Sequence, residues 1–298
     1  MAQVSLPIQS EPVKQAVRGR SPAGDALRRL RRSPSALVGG TILLIVVLSA
    51  LLAPMVSTSD PIKTNQRTSL QSPSLEHPMG TDRFGRDIFT RVLYGGRLSL
   101  PVGIVSVAIA AVIGVLLGLV AGFYGGWLDT MIMRMVDLLL AFPGILLALA
   151  IVAILGDSLI NLMIAVGISS IPDYVRITRG SVLSIREREF VQAARAVGAR
   201  NGAIVLRHIL PNVLTPLIVL VTLGIASAII TASALSFLGL GIKPPTPEWG
   251  NMLAEGRAFL QRAWWVAFFP GLAIMVTVFA INLLGDGLRD ALDPRMKH

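Results

Sequence analysis

The sequence has no cysteine and only three histidines among its 298 residues. Without cysteine, the chain can form neither a disulfide framework nor a thiolate metal site. The histidines, at His77, His208 and His298, lie outside the long apolar runs. The sequence therefore excludes a pore lined by imidazole groups, and we predict no metal site.

The motifs of common catalytic centres are also missing. No G-x-x-x-x-G-K-S/T loop is present to bind the phosphates of ATP. Serine and threonine residues are scattered, without an accompanying base that would activate one of them as a nucleophile. We predict that the chain is not an enzyme and that it holds no cofactor of its own.

Charged residues are scarce, at 15%, whereas hydrophobic residues reach 53% and the mean hydropathy is +0.68. A transmembrane helix needs about 20 apolar residues to cross roughly 30 Å of hydrocarbon. The sequence predicts an all-α integral membrane protein with six transmembrane helices, at about 36–54, 98–123, 130–155, 158–176, 213–238 and 264–285. The fourth contains Asn161 and Pro172, so its polar groups require burial within the helix bundle.

The net charge of +10 is concentrated beside the apolar runs. Residues 1–35 hold seven Lys or Arg and two acids, and four arginines directly precede the first span, at Arg28, Arg29, Arg31 and Arg32. Cationic segments of this kind mark the cytoplasmic side of a membrane, so we predict a lipid bilayer and no nucleic acid as partner. Residues 55–97 then fall outside, although they hold six Lys or Arg against four acids.

These observations divide the chain into parts and place both termini in the cytoplasm. The predicted parts are a basic cytoplasmic tail at 1–35, a first transmembrane helix at 36–54, an external loop at 55–97, a core of five transmembrane helices at 98–286 that includes a cytoplasmic loop at 177–212, and a cytoplasmic tail at 287–298.

A strongly basic segment lies between the fourth and fifth predicted spans. Residues 176–207 contain seven arginines and two acids. Apolar residues within it recur at helical spacing and predict a small apolar face, formed by Phe190, Ala193, Ala194 and Val197. Gly198 fits the left-handed turn that ends such a helix, and Pro211 suits the first turn of the next one. The pattern predicts a short helix presented to the cytoplasm.

The residues of this loop resemble the coupling motif of permease subunits in ABC importers. The resemblance rests on the order Ala193-Ala194, Gly198 and Ile209-Leu210-Pro211, with Gln192 where that family usually has Glu. Three further segments resemble signatures of dipeptide, oligopeptide and nickel permeases: HPMGTDRFGRDIFTRVLYGGRLSL at 77–100, SFLGLGIKPPTPEWG at 236–250 and NLLGDGLRDALDP at 282–294. The chain is thus similar to the C-type permease of peptide-class ABC importers, which implies a type I ABC importer fold.

The resemblance implies half of a translocation pathway, a sister permease, two ATPase subunits that bind ATP and Mg, and an external solute-binding protein. It also implies a prokaryotic inner membrane and di- or oligopeptides as substrates, with glutathione or chelated nickel as alternatives. The residues expected to dock onto an ATPase are Glu189, Gln192, Ala193, Ala194, Arg195, Gly198, Arg200 and Pro211. From residue chemistry alone, a loop whose arginines meet anionic lipid is an equal alternative.

Ionisable and hydroxyl residues within spans are candidates for lining a pathway. Arg134 and Asp137 lie three residues apart and could pair on one helical face, with a bridge to a neighbouring helix as the alternative. Thr231 and Ser233 belong to a face that suits either close helix packing or a pathway wall. Two other classes of protein stay open. One is a membrane scaffold, and the other is a secondary carrier, which would show inverted repeats and ion-coupling acidic residues.

Three patterns concern the predicted external side. The segment GTDRFGRD at 80–87 predicts an ordered cap before the second span, held by ion pairs and an aspartate N-cap, with contact to the binding protein as the alternative. Residues 243–247 contain three prolines and predict an irregular loop, for contact with the binding protein or for re-entrant packing. Trp264 and Trp265 predict anchors at the membrane interface.

Glycine and proline also give predictions inside the spans. Gly114, Gly118 and Gly122 recur at intervals of four residues, which predicts a helix face that packs closely against another helix. Pro143 lies within the third predicted span and indicates a bend there.

Overall fold

The structure, a computed structural model, describes residue 24, residues 28–57 and residues 59–292. Most of the predicted basic tail and residues 293–298 lie outside this described part. Within it, the regular structure is helical, apart from a single β-bridge between Thr81 and Asp87. The predicted all-α class is confirmed.

The described residues form helices of very different length. The α-helices are α1 Pro34–Leu51, α2 Ala53–Val56, α3 Ile88–Tyr124, α4 Gly126–Leu140, α5 Gly144–Leu155, α6 Leu159–Arg186, α7 Glu189–Ala196, α8 Asn201–Ile204, α9 Leu210–Phe237, α10 Trp249–Gly256 and α11 Trp265–Leu292. Short 3-10 turns occur at Gln66–Thr68 and Arg257–Phe259, and a π turn occurs at Val205–Ile209.

Five helical segments are long and apolar enough to cross a membrane: α1, α3, α6, the continuous run Asn201–Phe237 and α11. Helices α4 and α5 make a sixth span if this pair, which is bent by 88°, is taken as one. The predicted span number agrees with this count, but several boundaries differ. Helix α3 begins at Ile88 rather than at 98, α6 continues to Arg186 rather than ending at 176, and α11 continues to Leu292 rather than ending at 285. The segments predicted as 55–97, 177–212 and 287–298 are therefore partly helical.

Helices α3 and α6 pack at close range through the predicted glycine face. A methyl group added at Gly118 would lie 2.6 Å from Cβ of Thr178, and one at Gly122 would lie 2.7 Å from Cβ of Val182. A methyl group at Gly114 would collide with Tyr174. Because glycine lacks a side chain, the two backbones approach until they nearly touch, which confirms the predicted close-packed face.

The bend in the third span lies at Pro143, as predicted. Proline disfavours helical geometry in the residue before it, and α4 accordingly ends at Leu140 while α5 begins after Pro143. The Pro143 carbonyl accepts from the backbone N–H groups of Leu146 and Leu147, so it starts the second helix. The break turns the chain through 88° and separates α4 from the rest of the span.

A π turn precedes Pro211 and keeps residues 201–237 in one helical run. Proline has no N–H to donate and its ring crowds the preceding helical turn. The wider turn at Val205–Ile209 comes directly before Leu210 and Pro211, at the point where a regular helix would be crowded. The sequence correctly placed Pro211 in the first turn of α9, but it did not reveal that the helix continues without interruption from Asn201.

Candidate functional site

The short helix α7 ends in a hydrogen-bonded turn at Gly198. The backbone N–H of Ala199 donates to the Ala194 carbonyl at 3.0 Å, and that of Gly198 donates to the Arg195 carbonyl at 2.9 Å. This pair of bonds requires a left-handed residue just past the helix, and Gly198 has φ of +79°. The predicted turn is confirmed. It depends on the backbone angle rather than on space, since no atom approaches within 4 Å of a methyl group added at Gly198.

Helix α7 has one face buried in the chain and one face exposed. Val191 is fully buried, and Ala194 packs in part against the hydrophobic core. On the other side Phe190 is 40% exposed, Val197 is 84% exposed and Ala193 is exposed. Ala194 was predicted on the exposed face and instead turns toward the core. We call Phe190, Ala193 and Val197 the α7 face. An exposed apolar strip fixed on a short helix is typical of a surface that a protein partner covers.

The other predicted docking residues surround this face. Glu189 opens α7, and the Gln192 side-chain amide donates to the Arg186 carbonyl at 3.3 Å. The Arg195 guanidinium lies 5.6 Å from the centre of the Phe123 ring, at the end of α3. Arg200 and Pro211 are exposed but lie on the segment after Gly198. The structure thus brings Glu189 to Gly198 together and leaves Arg200 and Pro211 beside them.

Sequence reasoning missed the residue that attaches this region to the bundle. Arg186, at the end of α6, donates from Nη1 to the Gly122 carbonyl of α3 at 2.8 Å and from Nε to the Glu187 carboxylate at 3.0 Å. It therefore joins the ends of both long helices three residues before α7 starts. An arginine that bonds a distant carbonyl has no signature in the sequence, because its partner is identified only by the fold.

The four predicted pathway residues lie on two different helices. Asp137 of α4 bonds Arg176 of α6, with Oδ1 and Nη2 2.7 Å apart, so the alternative of a bridge to a neighbouring helix is the one the structure contains. Arg134 is exposed on α4. On α9, Thr231 is half-buried, whereas Ser233 is buried and lines an open cavity of 470 Å³ between α9, α10 and α11.

A second ion pair on α4 has two hydrogen bonds rather than one, and the sequence did not predict it. The Arg179 guanidinium donates two hydrogen bonds to the Asp129 carboxylate, from Nε to Oδ1 at 2.5 Å and from Nη2 to Oδ2 at 2.7 Å. Ile132 and Val136 are the buried residues of α4, and its apolar residues Trp127, Met131, Met135 and Leu138 are exposed. Helix α4 is thus held to α6 by two ion pairs and by a narrow buried strip.

The opposite end of the bundle contains a buried cluster of four charged side chains. Arg86 Nε lies 2.6 Å from Asp82 Oδ2, and the Glu255 carboxylate oxygen Oε2 lies 2.9 Å from Arg86 Nη2 and 3.3 Å from Arg91 Nη2. Both arginines are almost fully buried. Arg91 also donates to the carbonyls of Pro61 and Pro245. The charges of the two arginines and the two carboxylates cancel, and this pairing offsets the cost of burying them away from water.

This cluster confirms the predicted cap and adds a partner that the sequence did not indicate. Asp87 caps α3, since its Oδ2 accepts from the Thr90 N–H at 2.8 Å, and Asp82 pairs with Arg86 as expected. Glu255, however, is separated from Arg86 by 169 positions in the chain. The cap is therefore joined to α10 by charge as well as by packing.

Helix α10 packs back into the bundle between α9 and α11. The Trp249 indole donates to the Val92 carbonyl at 2.8 Å, and Glu248 caps the helix by accepting from the N–H groups of Gly250 and Asn251. Burial raises the pKa of Glu248 above its ordinary value, while those two backbone bonds act in the opposite direction. For the segment from 243 onwards, the structure thus contains the re-entrant packing.

The two tryptophans that begin α11 behave differently. Trp265 is buried, and its indole donates to the Thr81 carbonyl at 3.2 Å, so it supports the cap. The prediction of an interfacial anchor is wrong for Trp265, because the cap covers its ring. Trp264 is 50% exposed and remains available for that role.

Comparison with known families agrees with this architecture. Residues 114–298 match the family described as the binding-protein-dependent transport system inner membrane component, and residues 21–73 match the N-terminal transmembrane domain of oligopeptide transport permease C. The chain belongs to the family of binding-protein-dependent transport system inner membrane components. It is a transmembrane permease of the ABC importer class, as the resemblance implied.

Individual relatives and solved structures are consistent with this assignment. The chain is 52% identical over 277 residues to a dipeptide transport system permease protein DppC of Alkalihalophilus pseudofirmus, covering 93% of this chain and 91% of the relative. It is 47% identical to a glutathione transport system permease protein GsiD of Escherichia coli, with 93% and 92% covered. A structure of the inward-facing MetNI methionine ABC transporter superposes with a TM-score of 0.58 at 19% identity, covering 69% of this chain and 98% of that one. The last likeness concerns the fold alone.

Proposed function

We propose that this chain forms half of the translocation pathway of an ATP-driven importer for di- and oligopeptides. The substrate class is supported by the relative named for dipeptide transport, at 52% identity, and by a di/tripeptide permease of Pseudomonas aeruginosa, at 47% identity over 93% of this chain and 94% of the relative. Glutathione is the second candidate, because a glutathione permease is also 47% identical. Glutathione is itself a tripeptide, so the two candidates share their chemistry.

The observation that carries the proposal is the exposed α7 face on a firmly attached helix. In this proposal an ATPase subunit receives Phe190, Ala193 and Val197 in a groove, and the small Ala193 lets the helix sit deeply. ATP and Mg bind on that subunit. A sister permease, a second ATPase subunit and an external solute-binding protein complete the complex. Helix α7 then lies on the cytoplasmic side of a prokaryotic inner membrane, as do both termini.

The geometry suggests how ATP would drive the change between inward and outward access. Closure of two ATPase subunits displaces α7, and Arg186 passes this displacement to α3 and α6 at once, because it bonds the Gly122 carbonyl. The glycine face keeps α3 and α6 together. Helices that move as rigid bodies about an interface are a common basis of alternating access. The hydrolysis itself belongs to the partner subunits.

The first test concerns docking. The complex is purified in mild detergent through a tag on this chain, and ATPase activity is measured in the eluate for the wild type, Ala193→Trp and Ser72→Trp. Ser72 is exposed in the loop between α2 and α3, at the other end of the bundle, so the same substitution there controls for the added ring. We expect Ala193→Trp to lose the co-purifying ATPase and Ser72→Trp to keep it. A well-folded wild-type chain without any ATPase would refute the proposal in favour of a carrier.

A second measurement decides between the candidate substrates. Proteoliposomes that contain the whole complex and its binding protein are supplied with a labelled dipeptide or with labelled glutathione. ATP-dependent accumulation of the dipeptide is the expected result. Accumulation of glutathione alone would replace the first candidate with the second.

A further inference from the structure

Three arginines directly before α1 are exposed and lie beside one another in the chain. They are Arg28, Arg31 and Arg32, and within the described residues none of them forms an ion pair. They border a recess of 360 Å³. The guanidinium group of arginine presents a planar set of N–H donors that fits a phosphate group. We call Arg28, Arg31 and Arg32 the α1 arginines.

The backbone holds these arginines in a hydrogen-bonded turn that leads into α1. The Arg32 N–H donates to the Arg29 carbonyl at 2.9 Å. The Ser33 N–H donates to the Leu30 carbonyl at 3.2 Å. The Ser33 hydroxyl then accepts from the Ala36 N–H at 3.4 Å and caps α1. The three guanidinium groups therefore extend from an ordered turn whose place is set by the start of the helix.

The start of α1 packs tightly against the end of α11. A methyl group added at Gly287 of α11 would lie 2.5 Å from Cβ of Ala36. This end of α11 also carries Asp286 and Asp290, yet within the described part of the chain neither acid forms an ion pair with the α1 arginines. Packing thus fixes the position of the three cations, and their charge remains available to a molecule outside the chain.

The face of α1 that points away from the bundle is apolar and exposed. Helix α1 is the least buried of the five long spans. Its exposed large apolar side chains are Leu37, Val38, Leu44, Ile45 and Leu48. The row from Leu37 to Leu48 rises about 16 Å, close to the roughly 15 Å that one leaflet contributes to the hydrocarbon layer. One acyl chain of a phospholipid therefore fits along this face, with its headgroup at the level of the α1 arginines.

We propose that the α1 arginines and the exposed face of α1 together form a binding site for an anionic phospholipid. The arginines bind the phosphate, and the face from Leu37 to Leu48 contacts an acyl chain. A zwitterionic lipid fits less well, because its ammonium group is repelled by guanidinium groups that do not bind the phosphate. Inorganic phosphate lacks the acyl chain and gains only part of the contact. The inference requires only that α1 spans the bilayer, so it is independent of the proposed transport function.

The test measures which lipid lies beside α1 in the full chain. Because the chain has no cysteine, Thr41→Cys can be labelled with a fluorophore at this position alone, and Thr41 is exposed on the same face of α1. The labelled chain is placed in nanodiscs of phosphatidylcholine. A small fraction of the lipid carries a quencher, on either phosphatidylglycerol or phosphatidylcholine with the same acyl chains. A label at Val112→Cys, an exposed position of α3, reports on lipid away from the site.

Two triple variants separate the site from the overall charge of the chain. The test variant removes the charges of the site: Arg28→Gln, Arg31→Gln and Arg32→Gln. The control variant removes the same charge from exposed positions before α3: Lys63→Gln, Arg67→Gln and Arg83→Gln.

The expected result is an excess of phosphatidylglycerol beside α1. At low salt we expect phosphatidylglycerol to exceed phosphatidylcholine about fivefold or more at the Thr41 label, and less than about twofold at the Val112 label, because arginines near a membrane surface attract anionic lipid. The test variant should lose this excess and the control variant should retain it. The excess should shrink at about 0.5 M salt, because ions screen exposed charges.

Four other outcomes would overturn the inference. Equal quenching by the two lipids at the Thr41 label already does so in the chain with its arginines intact. An excess that survives in the test variant excludes the α1 arginines, and one that is lost equally in the control variant reflects net charge alone. Displacement of the lipid by millimolar inorganic phosphate would identify a site for free anions instead. None of these results bears on the proposed function, because ATPase co-purification tests α7.

Discussion

At the scale of single residues, glycine determines how closely α3 and α6 approach. Gly118 faces Thr178 so directly that even a methyl group would lie 2.6 Å from its Cβ atom. Gly180, only two positions from Thr178, has no atom within 4 Å of an added methyl group. The same amino acid thus has a packing role at one position and none at the other.

We therefore expect opposite effects from the same substitution at these two glycines. Gly118→Ala should destabilise the protein by about 1–3 kcal/mol through overpacking. Gly180→Ala should leave stability unchanged or raise it by up to about 1 kcal/mol, because alanine favours the helix. The thermal unfolding midpoint of each purified variant in detergent measures the difference. A Gly118→Ala variant as stable as Gly180→Ala would show that the helices can separate at no cost.

Local residue chemistry was predictable from the sequence, whereas long-range partners were not. Gly198 and Asp87 were recognised because a helix end imposes its requirement within a few residues. Glu255 could not be assigned to Arg86 because 169 positions lie between them. Val191 looked unremarkable in the sequence, yet it is the residue that fastens α7 to the core. Burial of this kind depends on the fold, which no local pattern contains.

At the scale of elements, α4 is attached to α6 by two ion pairs as well as by packing. Asp129 and Arg179 are joined by two hydrogen bonds, whereas Asp137 and Arg176 are joined by one. The first pair is 19% and 30% exposed in its side chains, and the second is 56% and 51% exposed. Solvent screens the second pair much more than the first.

Double-mutant cycles should separate the two pairs. For Asp129→Asn with Arg179→Gln we expect a coupling free energy of about 1.5–3 kcal/mol, as for hydrogen bonds to charged groups. For Asp137→Asn with Arg176→Gln we expect less than about 1 kcal/mol, as for exposed pairs. Thermal unfolding of the four variants of each cycle supplies both values. Equal couplings would contradict the role given to burial.

The number and approximate position of the spanning helices were predictable from hydropathy, whereas the residues at which the helices begin and end were not. Six apolar runs predicted the spans, but α3 begins ten residues earlier than predicted, at Ile88, where Asp87 caps it. Arg91 in its first turn is buried and bonds Glu255 and two carbonyls. Arg179 was assigned to a cytoplasmic loop and Arg176 to the last position of the fourth span, yet both lie within α6, where Asp129 and Asp137 pair with them. The α4–α5 break followed from Pro143, but its angle did not.

At the scale of the whole molecule, the buried cluster lowers the number of exposed cations in the segment before α3. The segment 55–97 holds six Lys or Arg against four acids, which is an imperfect fit to an external loop. Two of these cations, Arg86 and Arg91, are buried and paired. They contribute little to the surface on which the charge rule acts. Asp82 and Asp87 are buried as well, so four exposed Lys or Arg face two exposed acids and the excess of two cations persists.

The absence of cysteine makes the orientation of the chain directly measurable. We expect Ser72→Cys to react with a membrane-impermeant maleimide in right-side-out vesicles, because the proposed orientation places this exposed residue outside. In a chain expressed without its ATPase subunits, which would otherwise cover α7, we expect Val197→Cys to react only after the membrane is permeabilised, because the wild-type side chain is 84% exposed. The unsubstituted chain has no thiol and serves as the blank. The reverse labelling pattern would invert the topology and exclude α7 as a cytoplasmic docking site.

The length of α3 has a mechanical consequence. Its 37 residues rise about 55 Å, which exceeds the roughly 30 Å of the hydrocarbon layer. Together with α6, to which glycine and Arg186 attach it, it links the two ends of the bundle as one long body. A tilt of about 5° would move each end by roughly 2 Å. A small rotation at the end that carries α7 would thus be converted into a displacement at the end that carries the buried cluster.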